Sequence, residues 1–417
     1  MSSRHLLRRF VQRKPATLVS MPDAAGRPVV VFVVNTDWFF LSHRLAVARK
    51  VRDSGAHVVV VAPDTGSGDA IAAAGFRFVR LPISRSSLNP LRDLHTLVFL
   101  IRVYRRLRPA LAHHVTIKPV IYGSLAARWV GGVAIVNAVS GLGWVFGPSH
   151  MARVLRPVVK QLYRAALGAG SSHVIFQNPE NRDDFIRLGL VPEERTTLIR
   201  GSGVDCREFQ PTPEPRGVPV ILFAGRMLWD KGVGQFVAAA RLVNAAAPRA
   251  RFVLVGVPDT GNPRFIPCER LESWARDGVV EWWGKRTDMP AVLAAAHVIV
   301  LPTFYPEGVP KILLEGAASG RSLVATDVPG CREIVRNGVN GFLVPPGDVA
   351  QLANAIGRLI DDRGLRASFG AAGRGIAVSE FAQELVVGQT LAVYRRLLGD
   401  RWPPVSAEES SAETGRA

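Results

Sequence analysis

At 417 residues the chain exceeds what one ordinary core serves, and about 150 residues per domain predicts two or three. A hydrophobic content of 48% with 39 glycines and 29 prolines speaks for a folded α/β protein and against a disordered or fibrous one. The three cysteines, Cys206, Cys268 and Cys331, show neither CxxC nor Cys/His spacing, which argues against a disulfide framework or structural zinc and fits a reducing cytosol.

In chain order, "MSSRHLLRRFVQRKPATLVS" is a basic extension (residues 1–26) without the continuous apolar stretch of a secretory signal. "VVVFVV" (Val29 to Val34) reads as a buried strand, followed by a helix from about Arg44 with Ser42 as N-cap and Gly55 as its stop. "HVVVVAP" and "FRFVRLP" predict two more strands, and the segments around "ALAHH" and "VAIVNAV" a fourth and fifth. Strands separated by helical patterns mean parallel βαβ units, hence an open doubly wound sheet. Four prolines in "QPTPEPRGVP" (Gln210 to Pro219) cannot continue a helix or central strand, so this segment is the expected linker. A second series follows, with "VILFAG", "RFVLVG", "VVEWWG", "VIVLP" and "SLVATD" as strands. The expected fold is therefore two Rossmann-like doubly wound halves, residues 27–209 and 220–380, with a cleft between the carboxyl ends of their sheets. A C-terminal helix (381–400) is expected to return to the first half, and the tail 401–417 to be disordered.

"PEGVPKILLEG" carries the chemistry. Glu307 follows directly on the strand "HVIVLPTFYPE", Gly308 and Pro310 open a helix, and Glu315 lies one and a half turns inside it. That spacing gives one carboxylate on the loop, one on the helix, and backbone N–H groups between them that suit phosphate oxygens or a hydroxylated ligand. A helix carboxylate can accept both hydrogen bonds of a vicinal diol such as ribose. In "FAGRMLWDKGV", Gly225 and Arg226 end a strand and Lys231 stands at the next helix, so Arg as a fork and Lys as a point charge can clamp a diphosphate. The bland alternatives are an acidic first turn and two solvated loop cations.

"EGVPKILLE" with "AGRMLWDKG" resembles the family 4 retaining nucleotide-sugar glycosyltransferases of GT-B fold, over nearly the whole chain from Val29 to about Leu398. "GSGVD", "FQNPENRDDF" and "GLGWVF" (Gly141 to Phe146) look like members that build bacterial surface polysaccharides on a lipid carrier. The resemblance implies that Glu315 holds the nucleotide ribose and Glu307 the transferred sugar. It implies further that Arg226 and Lys231 hold the diphosphate beside Gly225, Gly308 and Val309. Two departures stand out. The loop after the first strand, "NTDWFFLSHR", lacks the family's glycine pair, so Asp37, Trp38 and Phe39 are expected to face the acceptor. In "LAHHVTIKP", keeping Thr116 and Lys118 in family register puts His113 on the first histidine of the family's H-x-H pair and Val115 on the second. His113 and Lys118 are therefore placed on the acceptor side, and His114 is carried as a catalytic candidate with Glu307. Adjacent strand residues face opposite ways, so one of the two histidines is expected to be structural.

No D-x-D, G-x-S-x-G or P-loop is present and "GLGWVF" lacks the third glycine of a dinucleotide fingerprint. No metal and no cofactor are expected, and hydride transfer is disfavoured. The net charge of +18 asks for an anionic partner, nucleic acid or membrane. No apolar run approaches the roughly 18 residues that cross a bilayer. Basic amphipathic stretches, "LRDLHTLVFLIRVYRRLRPALAHH" with Arg102, Arg105, Arg106 and Arg108, and "HMARVLRPVVKQLYRAAL", suit an anionic membrane surface, or else a core-packed helix with cations at its C-terminal end. Nucleic acid is disfavoured because aromatic residues are not interleaved with the basic runs. The expected function is transfer of a sugar from a nucleotide-diphosphate sugar, a UDP-sugar such as a UDP-N-acetylhexosamine, to a lipid-linked or saccharide acceptor at the cytoplasmic membrane face. The alternatives are a nucleotide-sugar 2-epimerase of the same fold and, further off, a non-enzymatic basic binding protein.

Overall fold

The computed structural model describes residues 26–85, 89–139, 150–168, 172–305 and 307–403. The basic extension, the "GLGWVF" segment, Pro306 and most of the tail lie outside the described residues. The chain divides into two compact units, which meet the chain at two places: Ile199/Arg200, and Val386/Val387 within the helix Gln383–Leu398. Of the described residues, the first unit takes in those up to Ile199 and those from Val387 onward, and the second those from Arg200 to Val386.

In the first unit, β1 (Val29–Val33), β2 (His57–Ala62), β3 (Arg77–Arg80), β4 (Leu111–Val115), β5 (Ala134–Val139), β6 (Ser172–Phe176) and β7 (Thr196–Leu198) form a parallel sheet in the order 3-2-1-4-5-6-7. The order reverses between β1 and β4, the switch point at which ligands of such sheets bind. Register there is fixed by Phe32 opposite His113 and Val33 opposite His114, with His114 in turn opposite Asn137 of β5. β1, β4 and β5 are buried throughout, as expected for runs of Val, Ile, Leu and Ala covered on both faces. The helix Pro90–Leu107 packs Leu100, Ile101, Val103, Tyr104 and Leu107 into one of those faces.

Ser42 is not an N-cap. The helix begins at Asp37, and Ser42 lies inside it, its hydroxyl donating to the Trp38 carbonyl at 2.9 Å. Arg44 interrupts the run with φ −128° and ψ −9°, and a second helix continues over Leu45–Asp53.

The second unit holds β8 (Val220–Ala224), β9 (Arg251–Val255), β10 (Glu281–Trp282), β11 (Val298–Leu301), β12 (Ser322–Thr326) and β13 (Gly341–Val344), parallel in the order 10-9-8-11-12-13. The proline-rich segment is not a free hinge. It is fastened to this unit from end to end: Arg374 donates to the carbonyls of Cys206 and Phe209, Arg321 to Thr212, and Arg366 grips Glu214 in a fork at 2.8 and 3.0 Å. His297 completes the attachment, 3.1 Å from the Pro215 carbonyl and accepting the Val220 N–H. Prolines leave the segment without a strand or helix to pair it, and side chains of this unit hold it instead: Arg374 through the carbonyls just before it, Arg321 and Arg366 through side chains within it, and His297 through the Pro215 carbonyl. The break in the chain therefore falls at Ile199/Arg200, before the prolines.

Among the described residues no helix is long and apolar enough to cross a membrane.

Candidate functional site

At the carboxyl end of the second unit's sheet, β8 leads through Gly225 and Arg226 to a short 3-10 turn, Trp229–Lys231, and then the helix Val233–Val243. Gly232 makes this possible. It has φ +80°, and a Cβ there would meet the Pro302 carbonyl oxygen at 2.0 Å, so the loop lies directly on the end of β11. That approach sets Lys231 against Glu307, Nζ donating to Oε2 at 2.5 Å, with both side chains largely buried. Thr303 lies beneath, its hydroxyl 3.3 Å from the other Glu307 oxygen and 3.2 Å from the Asp230 carbonyl.

Gly330 fixes the far side of the same loop. It opens the short helix Pro329–Arg332, where a Cβ would come within 1.8 Å of the Gly308 carbonyl oxygen. Any side chain there must displace the Glu307–Gly308 loop. Sequence reasoning missed Gly330, and only its place after a strand, in "DVPG", could have flagged it.

Arg226 points its fork at Asp259, Nη1 to Oδ2 at 2.9 Å. Asp259 lies on the loop after β9, which is laced to the Arg226 loop by Met227 N–H to Val257 O, Ile266 N–H to Met227 O, and an Asp230–Arg264 ion pair at 3.0 Å. Asp259 too went unread in the sequence, where "DTGN" looks only like a turn.

Glu315 is 7% exposed on the helix Lys311–Ala318, with Lys311 one turn before it at 3.2 Å. Burial raises its carboxyl pKa, and Lys311 opposes the shift. Val309 is buried against Gly201 and Leu314 side by side with it. Arg226, Lys231, Glu307 and Glu315, with Gly225, Gly308 and Val309, thus all belong to loops and a helix start at the carboxyl ends of β8 and β11. Such an arrangement can place two cations against a diphosphate and two carboxylates against hydroxyl groups.

The first unit's candidates are placed differently. Asp37 does not face outward: it is fully buried and accepts from the backbone N–H groups of Trp38, Thr65 and Ser67, which draws its pKa down against the effect of burial. It ties the start of its helix to the turn after β2. Trp38 is half-buried with its ring edge on Phe39, and Phe39 stacks on His43 at 4.0 Å. Lys118 pairs with Asp93 at 2.7 Å.

His114 is closed off from chemistry. Its Nδ1 lies 2.9 Å from the Asn137 Oδ1, an acceptor, so Nε2 accepts from the Tyr104 hydroxyl at 2.8 Å. Both nitrogens are committed, the ring is fully buried, and burial pulls its pKa down to about 4. This geometry speaks against the catalytic expectation for His114 and in favour of a structural role.

His113 faces the other side of β4. Its Nδ1 bonds the Tyr394 hydroxyl and its ring stacks on Phe32, but its Nε2 is buried without a partner. Thr116, three residues on, holds φ +73° with its hydroxyl also unpartnered, a strained setting of the kind that gathers at functional sites.

Comparison with known proteins bears on the family and the fold. The family model described as "Glycosyl transferase 4-like" matches residues 29–178, and that described as "Glycosyl transferases group 1" matches residues 218–362. The chain is 27% identical, over 86% of its length and 98% of the relative's, to the N,N'-diacetylbacillosaminyl-diphospho-undecaprenol alpha-1,3-N-acetylgalactosaminyltransferase of Campylobacter jejuni. It is 25% identical, over 68% and 74% of the two chains, to the UDP-Gal:alpha-D-GlcNAc-diphosphoundecaprenol alpha-1,3-galactosyltransferase of Escherichia coli. In fold it is similar to sucrose-phosphate synthase from Thermosynechococcus elongatus (TM-score 0.74, 22% identity, 90% and 100% of the chains). It is also similar to Anabaena Alr3699/HepE in complex with UDP (TM-score 0.71, 20% identity, 88% and 99%). With both units matched by family models and both sheets of the expected kind, the chain belongs to the family 4 glycosyltransferases of GT-B fold.

Proposed function

We propose that this glycosyltransferase moves a sugar, with retention of configuration, from a UDP-sugar to a lipid-linked acceptor in the synthesis of a surface polysaccharide. The observation that carries the reading is the Lys231–Glu307 contact at the carboxyl ends of β8 and β11, with Arg226 on the loop that leads to Lys231 and Glu315 on the helix that follows Glu307. In it, Arg226 and Lys231 hold the diphosphate, Gly225, Gly308 and Val309 give backbone approach, Glu315 takes the ribose hydroxyls and Glu307 orients the sugar. Retention needs the incoming hydroxyl on the face the leaving group departs from, so the departing phosphate accepts the acceptor's proton. Glu307, held by Lys231 and Thr303, is then a positioning carboxylate and not a nucleophile.

The names of the two relatives, both transferases to diphospho-undecaprenol-linked sugars, support a lipid-linked acceptor, and the E. coli relative's UDP-galactose supports a UDP donor. They favour transfer over 2-epimerisation. On the acceptor side stand Trp38, His113 and Lys118. The membrane reading of the +18 charge rests on the first unit: Arg105 and Arg106 are exposed, while Leu91 and Leu94 show 74% and 46% of their surface at the other end of the same helix. An anionic, cytoplasm-facing bilayer would take that helix at its surface.

The test is incubation with a panel of nucleotide sugars and a polyprenyl-diphosphate-linked sugar, in acidic vesicles and in detergent. The expected product is an elongated lipid with an α-linkage from a UDP-sugar. Neutralising Arg102, Arg105 and Arg106 should cut vesicle binding about 100-fold, at about 1 kcal/mol per charge. A new free sugar with no lipid product would mean epimerisation or hydrolysis.

A further inference from the structure

Arg44 is 5% exposed, yet no carboxylate pairs with it among the described residues. Its Nη1 donates to the His43 carbonyl at 3.0 Å, and its Nε is buried without a partner. Burial draws the guanidinium pKa down to about 10, and only the Tyr394 hydroxyl works against that. Burying a cation without an anion is strongly unfavourable, so the position calls for an acceptor.

Its neighbours repeat the pattern. The Arg44 charge bears on His113, lowering that imidazole's pKa further after burial has already done so. His113 is 1% exposed, with Nδ1 on Tyr394 and Nε2 unpartnered. His113 lies on β4 beside β1, at the sheet's switch point, and Arg44 stands between the helices Asp37–His43 and Leu45–Asp53 that follow β1, its charge reaching both His113 and Tyr394. Two nitrogen donors, one of them charged, therefore lack acceptors in one buried place.

We propose that Arg44 and His113, with Tyr394 orienting the imidazole, form an anion site that takes a phosphate of the diphosphate-linked acceptor. An anion beside Nε2 selects the tautomer in which Tyr394 donates to Nδ1 and Nε2 carries the proton. The guanidinium fork gives a phosphate its second set of donors. Assigning the phosphate to the acceptor rests on the transfer reading above; the anion site itself does not.

Because a diphosphate could also come from the donor, the experiment starts from the Arg226→Ala/Lys231→Ala protein, whose proposed donor clamp is gone. Inorganic pyrophosphate should still bind it in calorimetry. Adding Arg44→Met should remove that binding and leave the melting temperature without pyrophosphate unchanged or higher, since an unpaired buried charge has been exchanged for an apolar chain. Should the methionine variant not fold, Arg44→Lys decides: the fork is lost, and affinity for pyrophosphate should fall at least tenfold. In otherwise wild-type protein the same change should raise KM for the diphosphate-linked acceptor at least tenfold and leave KM for the donor alone. Pyrophosphate binding that ignores residue 44, or equal losses on donor and acceptor, would show that Arg44 serves packing alone. Absence of transfer to any acceptor would defeat the transfer reading but leave the pyrophosphate result to judge the site.

Discussion

Charge is handled in opposite ways in the two units. In the second unit every cation of the candidate donor site lies against a carboxylate: Arg226 on Asp259, Lys231 on Glu307, Lys311 on Glu315. In the first unit Arg44 is more deeply buried than Arg226 or Lys231 and has no such partner among the described residues, while His114 next door has every polar atom satisfied. The second unit can thus hold a diphosphate by exchanging partners, keeping its loops in place beforehand. The first keeps one histidine as architecture and leaves the other, with an arginine, short of an acceptor.

The largest effect expected from breaking the second unit's arrangement falls on turnover. Glu307→Gln keeps size but removes the charge facing Lys231 and leaves one acceptor where Lys231 and Thr303 use two, and should slow transfer about 100- to 1,000-fold, the usual cost of one preorganised electrostatic contact. Nucleotide binding should change little, and intact-mass spectra should show no sugar attached to the protein. A covalent adduct on residue 307 would mean that the carboxylate is a nucleophile.

Next in size is the histidine comparison. The folded pKa of His114 is depressed to about 4 against 6.5 for the free group, so the unfolded chain takes up its proton first as pH falls. Its contribution to stability is complete above pH 6.5 and drains away toward pH 4, roughly 3 kcal/mol in all. Urea titrations at pH 7 and 4.5 should show that loss in wild type and a smaller one in His114→Gln, which starts less stable. Transfer per folded molecule should be nearly unaltered by the substitution. A hundredfold drop in transfer at full stability would restore His114 to the chemistry.

Smaller again is the effect at Glu315. Because burial raises its pKa, the carboxyl becomes protonated at a higher pH than an ordinary glutamate and then loses its capacity to accept two hydrogen bonds from a diol. Affinity for a nucleoside diphosphate should therefore weaken as pH is lowered toward the raised pKa. Glu315→Gln should bind a fewfold more weakly at neutral pH and show a flatter profile; an identical profile would remove Glu315 from the site.

Legibility in the sequence followed burial. Runs such as "VVVFVV" and "HVVVVAP" could be read as strands because β-branched side chains buried on both faces leave a continuous apolar signal. β6, β7 and β13 escaped: "SHVIF" and "TTL" carry polar residues, and "GFLV" is short and opens on glycine. The paired glutamates and the Arg/Lys loop were legible because local spacing alone carries them. Arg44, Asp259 and the fastening of the proline-rich segment were not, because each depends on partners far away in sequence, such as Tyr394 for Arg44 and Arg366 for Glu214. Ser42 misled because an N-cap residue type inside a helix looks the same in one dimension.

The most direct test of the central claim is calorimetric binding of UDP to wild type and to Arg226→Ala/Lys231→Ala. Each lost charge-assisted contact should cost roughly 1.5 to 3 kcal/mol, so the double variant, still folded though less stable because Glu307 and Asp259 lose their partners, should bind at least about 100-fold more weakly. UDP binding equally tightly to both proteins would contradict the assignment of the donor to these two side chains.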